Sequence, residues 1–524
     1  MNILSILKRY KLNKDSNYFK NYCLKNFKFT KIKKIKTKKK IVLCEFTNMQ
    51  PNIFPAAHLI NLLANKNKAD IFAYQIFNLN FLKKLEWLIS DFLDLREFSI
   101  YRSFNISKFI RFKFSVIIIL FSIKAYLKCI SKIKNKKDLE DFRFQGIQLG
   151  DLIYDGFLKK YKKITIDIKS LKFKIYFFLF ISNYFWFLKI TKKFDVKAIL
   201  VSHTVYELAI PIRIAIKNSI PVYQCDIHYI RCFNKNYFRI DEFNNYKKNF
   251  KKNKKKISHR YFNLAKKRLL NRVFKYKNDL EYSTKKSDKI YNKNFILKNN
   301  KPNILVASHC FSDSPHSYGN HFFTDFYEWF LFLSNIAKRT DYNWYIKVHP
   351  DFKKISQNFV KNFVVENKKF QLLPSNISHK LIVKQGINFC LTVYGTVGEE
   401  YPFYGVPVIN ATKNNPHINY NFNINPTNLK EYEKILLNLN NIKLNFKREE
   451  VYECYFMKNF FYKNYLFVDD ILSLIKKFNG YKNIFNDSLY TYLIKNKLNK
   501  DHNSVMKKLD KFINSKKLIL SIID

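Results

Sequence analysis

The sequence predicts an α/β fold organised in two domains. At 524 residues the chain is long enough for two or three domains, and its 47% hydrophobic and 18% aromatic content is typical of a globular protein. A strand–turn–helix pattern occurs on both sides of a Lys/Asn-rich linker or flap at 243–301. We therefore predict α/β domains at 40–242 and 302–440 that face a cleft, with a basic lead-in at 1–39 and a helical tail at 441–524.

The first domain alternates apolar runs with segments of helical periodicity, which is the pattern of a parallel α/β unit. The predicted elements are, in order, a strand at 40–46, a helix at 56–63, a strand at 70–74, helical material over roughly 80–200, a strand at 198–202, a helix at 208–217 and a strand at 220–223. The segment 146–156 interrupts the helical region and holds three of the nine glycines in the chain.

The second domain repeats this alternation after the linker. The predicted elements are a strand at 302–308, a helix at 323–339, a strand at 344–348, a helix near 359–366, a strand at 389–392 and a strand at 406–409. From 429 onward the pattern is helical and amphipathic.

The longest apolar segment, 173–190, has an uncharged core of 14 residues, which is short for a membrane span. Two interpretations of this segment remain open, a buried helix and a helix lying at a membrane surface.

The eight cysteines are scattered without a Cys-x-x-Cys pair, which indicates a reducing compartment without disulfides or structural zinc. We expect a cytoplasmic protein, either free or peripheral on the inner face of the cytoplasmic membrane.

The formal net charge of +55 has two explanations. Lys, Asn, Ile, Phe and Tyr all have A/T-rich codons, so genome composition alone could produce it. A functional charge would favour nucleotide phosphates or an anionic membrane surface, with basic stretches at 31–40 and 248–268. Nucleic acid is a poor candidate, because the lysines are spread along the chain and no zinc-finger, basic-region or RNA-recognition motif occurs.

The glycines are the most informative residues. Four of the nine lie within twenty positions, at Gly386, Gly395, Gly398 and Gly405. This segment begins with an apolar strand and a turn of small residues. The start of a helix that carries an acid follows, and then a Gly-x-Pro-Val strand. Thr396, Gly398 and the next amides could bind a diphosphate, and Glu400 could accept from a ribose hydroxyl pair. The alternative is a tight structural turn with a favourable acid in the first helical turn.

Other candidates follow predicted strands. Lys347, His349 and Pro350 end one strand, where ligands of open parallel sheets bind. The loop 308–321 contains three histidines and Asp313, without a recognised zinc spacing, and Asn414 to His417 follow the Gly-x-Pro-Val strand.

A general base is expected among the ionisable groups near glycine turns and strand ends. In the first domain these groups are Asp151, Asp155, His203 and Glu207. We take Asp151, His203 and Asp313 as the candidate catalytic residues.

These motifs carry a family resemblance. Lys347-x-His349-Pro350, then Val393-x-Gly395-Thr396-Val397-Gly398-x-Glu400 and Gly405-x-Pro407-Val408, resembles the donor-binding domain of bacterial surface-polysaccharide glycosyltransferases. The pattern is similar to the capsule-biosynthesis group that includes Kdo transferases, and more distantly to polyglycerol-phosphate polymerases of teichoic acid synthesis. The resemblance covers roughly 302–440 and implies a GT-B fold of two Rossmann-like domains facing a cleft, with a tail that crosses back onto the first domain.

The resemblance also implies roles for single residues. His349 would contact the donor phosphate or nucleotide, the turn Gly395–Thr396–Val397–Gly398 would line the phosphate, and Glu400 would bind ribose or sugar. Lys347, Pro350 and His417 complete the expected donor site. The chain departs from the phosphopolymer enzymes at 393–396, where they carry Asp-Tyr-Ser-Ser, and it has Tyr401 where Ala is common.

The predicted function is transfer of a sugar from a nucleotide-sugar donor to a saccharide or lipid-linked acceptor in cell-surface polysaccharide biosynthesis, capsule or lipopolysaccharide. The sequence has no Asp-x-Asp motif, so we expect neither a metal nor any cofactor beyond the nucleotide sugar as co-substrate. A sugar-nucleotide epimerase, a glycerophosphotransferase of related fold and a non-catalytic basic membrane- or nucleic-acid-binding protein remain alternatives.

Overall fold

Two separate parallel sheets form the framework of the protein. A computed structural model describes residues 10–27, 38–76, 81–275, 300–349, 353–374, 377–443 and 446–524. The first sheet has the order β3-β2-β1-β6-β7-β8 and the second the order β11-β10-β9-β12-β13. The predicted α/β class with two Rossmann-like domains is therefore confirmed.

The first sheet is parallel except for β8, which pairs antiparallel with β7. Its strands are β1 (Lys40–Glu45), β2 (Asp70–Gln75), β3 (Ile106–Arg111), β6 (Asp195–Val201), β7 (Val222–Cys225) and β8 (Ile230–Phe233), and a short hairpin of β4 (Arg143–Phe144) and β5 (Ile147–Gln148) lies apart from it. Strand β3 falls in the region expected to be helical. It is an edge strand with only one buried residue, so it lacks the apolar run that marks the central strands.

The second sheet is parallel throughout. Its strands are β9 (Asn303–Ala307), β10 (Asn343–Lys347), β11 (Phe370–Leu372), β12 (Phe389–Thr392) and β13 (Val408–Asn410). Parallel pairing brings the carboxyl ends of β9, β10, β12 and β13 to one edge, where the predicted motifs begin.

Helices cover the faces of both sheets. Those before the second domain are α1 (Lys14–Asn26), α2 (Gln50–Asn67), α3 (Phe81–Phe92), α4 (Arg96–Ser103), α5 (Val116–Ile130), α6 (Lys136–Glu140), α7 (Gly150–Tyr161), α8 (Leu171–Lys193), α9 (Ile210–Lys217), α10 (Tyr246–Asn253) and α11 (His259–Lys275). The later ones are α12 (Phe326–Lys338), α13 (Lys353–Glu366), α14 (His379–Lys384), α15 (Val397–Glu400), α16 (Leu429–Leu437), α17 (Arg448–Phe456), α18 (Ile471–Lys477), α19 (Ser488–Leu493) and α20 (Asn499–Asn514).

Helices near both ends of the chain pack on the first domain. Within the segment expected to be a lead-in, α1 buries Phe19 and Cys23 against the tail residue Tyr490 and its neighbours. The apolar spacing of α1 is diluted by lysine and asparagine, which hid it in the sequence. The tail crosses back from the second domain, because residues from Leu466 to Leu520 share a core with β1 and α2. In the expected linker, α10 and α11 pack under the tail, and 276–299 lie outside the described residues.

The long apolar helix α8 is a core helix. It is the one helix in the described part of the chain whose length and composition would suit a membrane span, and 67% of its most apolar window is buried. Phe177, Tyr184 and Phe187 are fully buried beneath the first sheet. All eight cysteines are free thiols.

Candidate functional site

His309 follows β9 and contacts the residues after β12 in the second domain. Its Nε2 accepts hydrogen bonds from the backbone N–H groups of Val393, at 3.1 Å, and Tyr394, at 3.4 Å, so the neutral ring carries its proton on Nδ1. Burial, and then the neighbouring charge of His349, lowers the pKa of His309 well below its usual range. His349 is anchored on the same loop, because its N–H donates to Ser308 Oγ at 3.1 Å. The loop after β9 thus contacts the glycine turn through His309 and the end of β10 through Ser308.

The glycine turn exposes some residues and buries others. Thr396 and Glu400 are half-buried, whereas Val397 and Gly398 are buried. A Cβ on Gly398 would lie 2.5 Å from Asn423 Nδ2 and about as close to the His417 ring, so this glycine is required by packing inside the domain. In the predicted phosphate turn, Thr396 and Glu400 therefore keep some exposed surface, whereas Gly398 does not.

The acid next to Glu400 is fully buried. Glu399 lies 2.7 Å from Lys458 Nζ and 2.6 Å from Arg272 Nη2. Burial opposes its charge, but Lys458, His417 and Arg272 outweigh that effect and hold the pKa of Glu399 well below its usual range. Arg272 Nε also lies 3.5 Å from Glu400 Oε1, so one guanidinium orients both carboxylates.

His417 has no exposed surface, so its expected contact with a donor is not available. With Glu399 and Cys454 it forms a buried group whose donor atoms all lie within 4.8 Å of one another. Such a triad has ligand types that zinc accepts. Here, however, Lys458 and Arg272 already pair with the carboxylate, so a metal cation bound to Glu399 would lie close to two positive charges.

The first domain contributes His203, at the end of β6. The Ser202 hydroxyl lies 2.7 Å from His203 Nδ1, and the Ser202 N–H donates to Glu45 Oε2 at 2.6 Å. Burial raises the pKa of Glu45 to about 7, against the opposing bonds from Ser202. Burial, and then the charge of Lys159, lowers the pKa of His203. A neutral imidazole near pH 7 is suited to accept a proton.

Asp313 connects the two domains. Its Oδ1 accepts from Lys159 Nζ at 2.8 Å and from the Tyr206 hydroxyl at 2.5 Å, both in the first domain. The charge of Lys159 also lowers the pKa of His203.

Asp151 lies elsewhere and is unsuited to the role of general base. It is buried between Arg213, at 2.7 Å, and Arg239, at 3.4 Å. Burial disfavours its charge, but the two arginines outweigh that and lower the pKa of Asp151. A carboxylate held ionised in this way is a weak proton acceptor.

Lys347 also differs from the expectation. Its side chain is buried, and Nζ donates to the carbonyl oxygen of Ile377 at 2.8 Å, so it braces the loop after β11 and does not point into the cleft. Pro350 lies outside the described residues.

A second inter-domain contact centres on His316. Its Nδ1 lies 2.6 Å from Asp155 Oδ1 and its Nε2 lies 3.3 Å from Glu140 Oε1, with all three side chains buried. Burial opposes protonation of the ring, but Asp155 and Glu140 outweigh it and raise the pKa of His316 to about 10. Nearby, the Tyr154 hydroxyl donates to Asp325 Oδ2 at 2.6 Å. These buried polar contacts hold the loop 308–325 against α7.

An open cavity of about 490 Å³ lies beside the site, between the domains. Arg143, Phe238 and Arg239 line it from the first domain, and Tyr318 and Asn414 line it from the second. It does not include His349 or the glycine turn, but the Tyr318 ring packs 5.0 Å from that of Tyr394 at the turn.

Comparisons with known proteins add only distant similarities. No protein-family model matches the sequence, and no match appears among curated proteins. A UDP-GlcNAc 2-epimerase from Neisseria meningitidis bound to UDP-GlcNAc is 12% identical, covering 80% of this chain and 100% of that one, with a TM-score of 0.21. A glycosyltransferase from Rickettsia africae is 12% identical, covering 91% and 100%, with a TM-score of 0.22. MurG from Acinetobacter baumannii is 12% identical, covering 80% and 94%, with a TM-score of 0.20. At these values the fold assignment depends on the two sheets described above.

Sequence reasoning missed several members of the site. Glu45 ends a strand that was correctly predicted, and its position beside the end of β6 was the available signal. His309 and His316 were noted only as part of a polar loop. Arg272 and Lys458 come from the linker and the tail, and no local pattern points from either one to Glu399.

Proposed function

We propose that the protein is a GT-B glycosyltransferase that uses a nucleotide-sugar donor. The observation that carries this proposal is the loop after β9. Its Ser308 accepts from the N–H of His349, its His309 contacts Val393 at the start of the glycine turn, and its Asp313 contacts Lys159 of the first domain. A cleft with polar groups on both walls suits a reaction between two bound substrates. The motif resemblance in 302–440 supports a nucleotide sugar as the donor.

In the proposed reaction, His203 takes the proton of an acceptor hydroxyl. The hydroxyl oxygen then forms a bond to the anomeric carbon of the donor as the bond from that carbon to the phosphate oxygen breaks. His349 donates a hydrogen bond to the leaving phosphate, and Lys159 adds positive charge beside it. Glu400, oriented by Arg272, accepts from the ribose hydroxyls of the nucleotide.

We assign the acceptor to the 490 Å³ cavity. Its lining combines the aromatic faces of Phe238 and Tyr318 with the planar polar groups of Arg239 and Asn414, a combination that suits sugar rings and their hydroxyls. A saccharide, free or lipid-linked, from cell-surface polysaccharide synthesis is the proposed acceptor.

The test incubates the purified protein with UDP-, CMP- and GDP-sugars, and separately with CDP-glycerol, in the presence of a bacterial glycan or membrane fraction. Release of free nucleotide together with sugar in the acceptor supports the proposal. An isomerised nucleotide sugar without transfer would identify an epimerase, and transfer of glycerol phosphate would identify the related phosphotransferase. His349→Ala should lose transfer, whereas His259→Ala, at an exposed position of α11, should retain it.

A basic scaffold without catalysis is tested separately. An electrophoretic shift assay over a salt series would detect it as steep, sequence-independent binding of nucleic acid.

A further inference from the structure

Helix α5 presents most of its apolar side chains to solvent. Over its 15 residues the buried positions form a narrow stripe, Ile118, Ser122, Ala125 and Cys129. Four aliphatic side chains are each more than half exposed, Val116, Ile117, Leu120 and Leu127. Single exposed apolar residues are common on soluble proteins, but a contiguous helical face of this kind marks an interaction surface.

The neighbouring end of α8 extends this face. The ring pairs Phe121–Phe185, at 5.8 Å, and Tyr126–Phe178, at 6.1 Å, show that α5 and α8 run antiparallel. The start of α8 therefore lies near the end of α5. Leu171 is 71% exposed there, and Ile175 is 46% exposed.

The surroundings of this face are strongly basic. Residues 98–137 contain ten Lys and Arg and no Asp or Glu, and 168–194 contain no acid either. Exposed lysines on or next to α5 are Lys113, Lys124, Lys128, Lys132 and Lys134. An apolar helix face bordered by lysines matches the interface of an anionic bilayer. The acyl chains can contact the apolar face, and the phosphate headgroups can contact the lysines.

We propose that α5, with the start of α8, is a membrane-docking surface that lies in the headgroup layer of a bilayer containing anionic lipid. Fifteen residues are too few to span the hydrocarbon core, so α5 would lie in the plane of the interface. A second copy of this chain is a poorer occupant, because pairing the face with itself would oppose two sets of lysines. This surface differs from the segments expected from the sequence, 173–190 and the basic stretches 31–40 and 248–268, and does not depend on the proposed function.

Vesicle binding tests the surface. The full-length protein is sedimented with phosphatidylcholine vesicles with and without about 30% phosphatidylglycerol, at roughly 25 and 300 mM salt. We expect binding to the anionic vesicles that weakens with salt. The double variant Ile117→Glu/Leu120→Glu should bind at least about tenfold more weakly, because it places charge where acyl chains would pack. The matched control Val365→Glu, at a position 64% exposed on α13, should bind like wild type.

The lysines are tested by Lys124→Gln/Lys128→Gln. At low salt, this variant should lose about fivefold in affinity for anionic vesicles for each lysine replaced, and the loss should be smaller at high salt. Lys361→Gln on α13 should leave the affinity unchanged. Leu120→Trp should be quenched by vesicles with brominated acyl chains, and Val365→Trp should not. Unchanged binding of the glutamate double variant, or an unquenched Trp at 120, would overturn the proposal. So would a wild-type dimer in sedimentation analysis that Ile117→Glu/Leu120→Glu dissociates, since a second copy would then cover the face.

Discussion

Lys458 and Glu399 form an ion pair that joins the tail to the helix of the glycine turn. The Lys458 ammonium lies 2.7 Å from Glu399 Oε1, and the carboxylate has no exposed surface. Arg272 from α11 contacts the other oxygen at 2.6 Å. The residue that follows, Glu400, is therefore fixed by elements far from it in sequence.

Glu399→Gln should destabilise the fold, because it leaves Lys458 and Arg272 partly desolvated without their counter-charge. We expect a loss of about 3–5 kcal/mol in the free energy of unfolding, measured by urea denaturation. The control Lys247→Met removes an ion pair with Glu450 in which the lysine is 47% exposed, and should cost at most about 1 kcal/mol. Equal losses in the two variants would show that the buried network contributes nothing beyond a surface pair.

Glu400→Gln should weaken donor binding while leaving the fold intact. The substitution keeps the volume but removes the charged acceptor, so calorimetry with the donor that the transfer assay identifies should show a loss of about 1.5–3 kcal/mol in binding free energy. His349→Ala should lower kcat as well as affinity if the ring contacts the leaving group. Glu366→Gln, at an exposed position of α13, is the matched control. Wild-type affinity in Glu400→Gln would mean that the motif is only a structural turn.

The pH dependence of transfer should report His203. Burial and Lys159 lower its pKa, so the neutral base persists on acidification and kcat/KM should fall only below about pH 6.5, the ordinary value for histidine. Lys159→Gln removes a positive charge and should move this acidic limb to higher pH. His203→Ala should reduce kcat by about 10²–10⁴-fold. If Lys159→Gln does not shift the acidic limb of the kcat/KM profile, His203 is not the general base.

The sequence predicted the buried strands well and the edge strands poorly. Strands β1, β9 and β12 are apolar runs with nearly every residue buried, and such runs are visible without a structure. Edge strand β3 has mostly exposed or half-exposed residues, so burial left little pattern to detect. Glycine was an ambiguous signal in the sequence, because two different causes can require it. A glycine can allow a phosphate to approach the backbone, but Gly398 instead allows His417 and Asn423 to pack against it inside the domain.

For the candidate site, local motifs pointed to His349 and Glu400, whereas contacts between distant parts of the chain determine the surroundings of the other candidates. The positions of His349 and Glu400 followed from strand ends, which parallel pairing brings together. The partners of Asp151 did not follow, because Arg213 and Arg239 lie 62 and more residues away and reach it only in the folded chain. A carboxylate near a glycine turn therefore looked like a base, and burial beside two arginines makes it a structural anion.

The His316 cluster should make stability fall at alkaline pH. The folded-state pKa of about 10 lies above the ordinary value of about 6.5, so its contribution is fully present below pH 6.5 and is lost as the pH rises towards 10. His316→Gln should cost about 3–5 kcal/mol at pH 6, because Asp155 and Glu140 lose their counter-charge. The urea midpoints of the wild type and His316→Gln should therefore approach each other as the pH rises from 6 to 10. A constant gap across this range would mean that the buried ring is neutral.

Gly156 allows Tyr176 and Glu207 to approach helix α7. A Cβ at this position would lie 2.0 Å from the Tyr176 hydroxyl oxygen and 3.0 Å from Glu207 Oε2. Gly156→Ala should therefore destabilise the protein by about 1–3 kcal/mol, although alanine is the better helix former by about 1 kcal/mol. Tyr176→Phe removes the clashing oxygen, and its own cost should be about 1 kcal/mol for the bond to Glu207.

The double variant Gly156→Ala/Tyr176→Phe should then be more stable than the sum of the two single losses predicts. Gly150→Ala provides the contrast on the same helix. Its Cβ would lie 1.9 Å from the Leu139 carbonyl oxygen, a backbone atom that Tyr176→Phe leaves in place. We expect rescue of Gly156→Ala and none of Gly150→Ala in urea denaturation. Additive losses in both pairs would show that the approach of Tyr176 is not what requires glycine at 156.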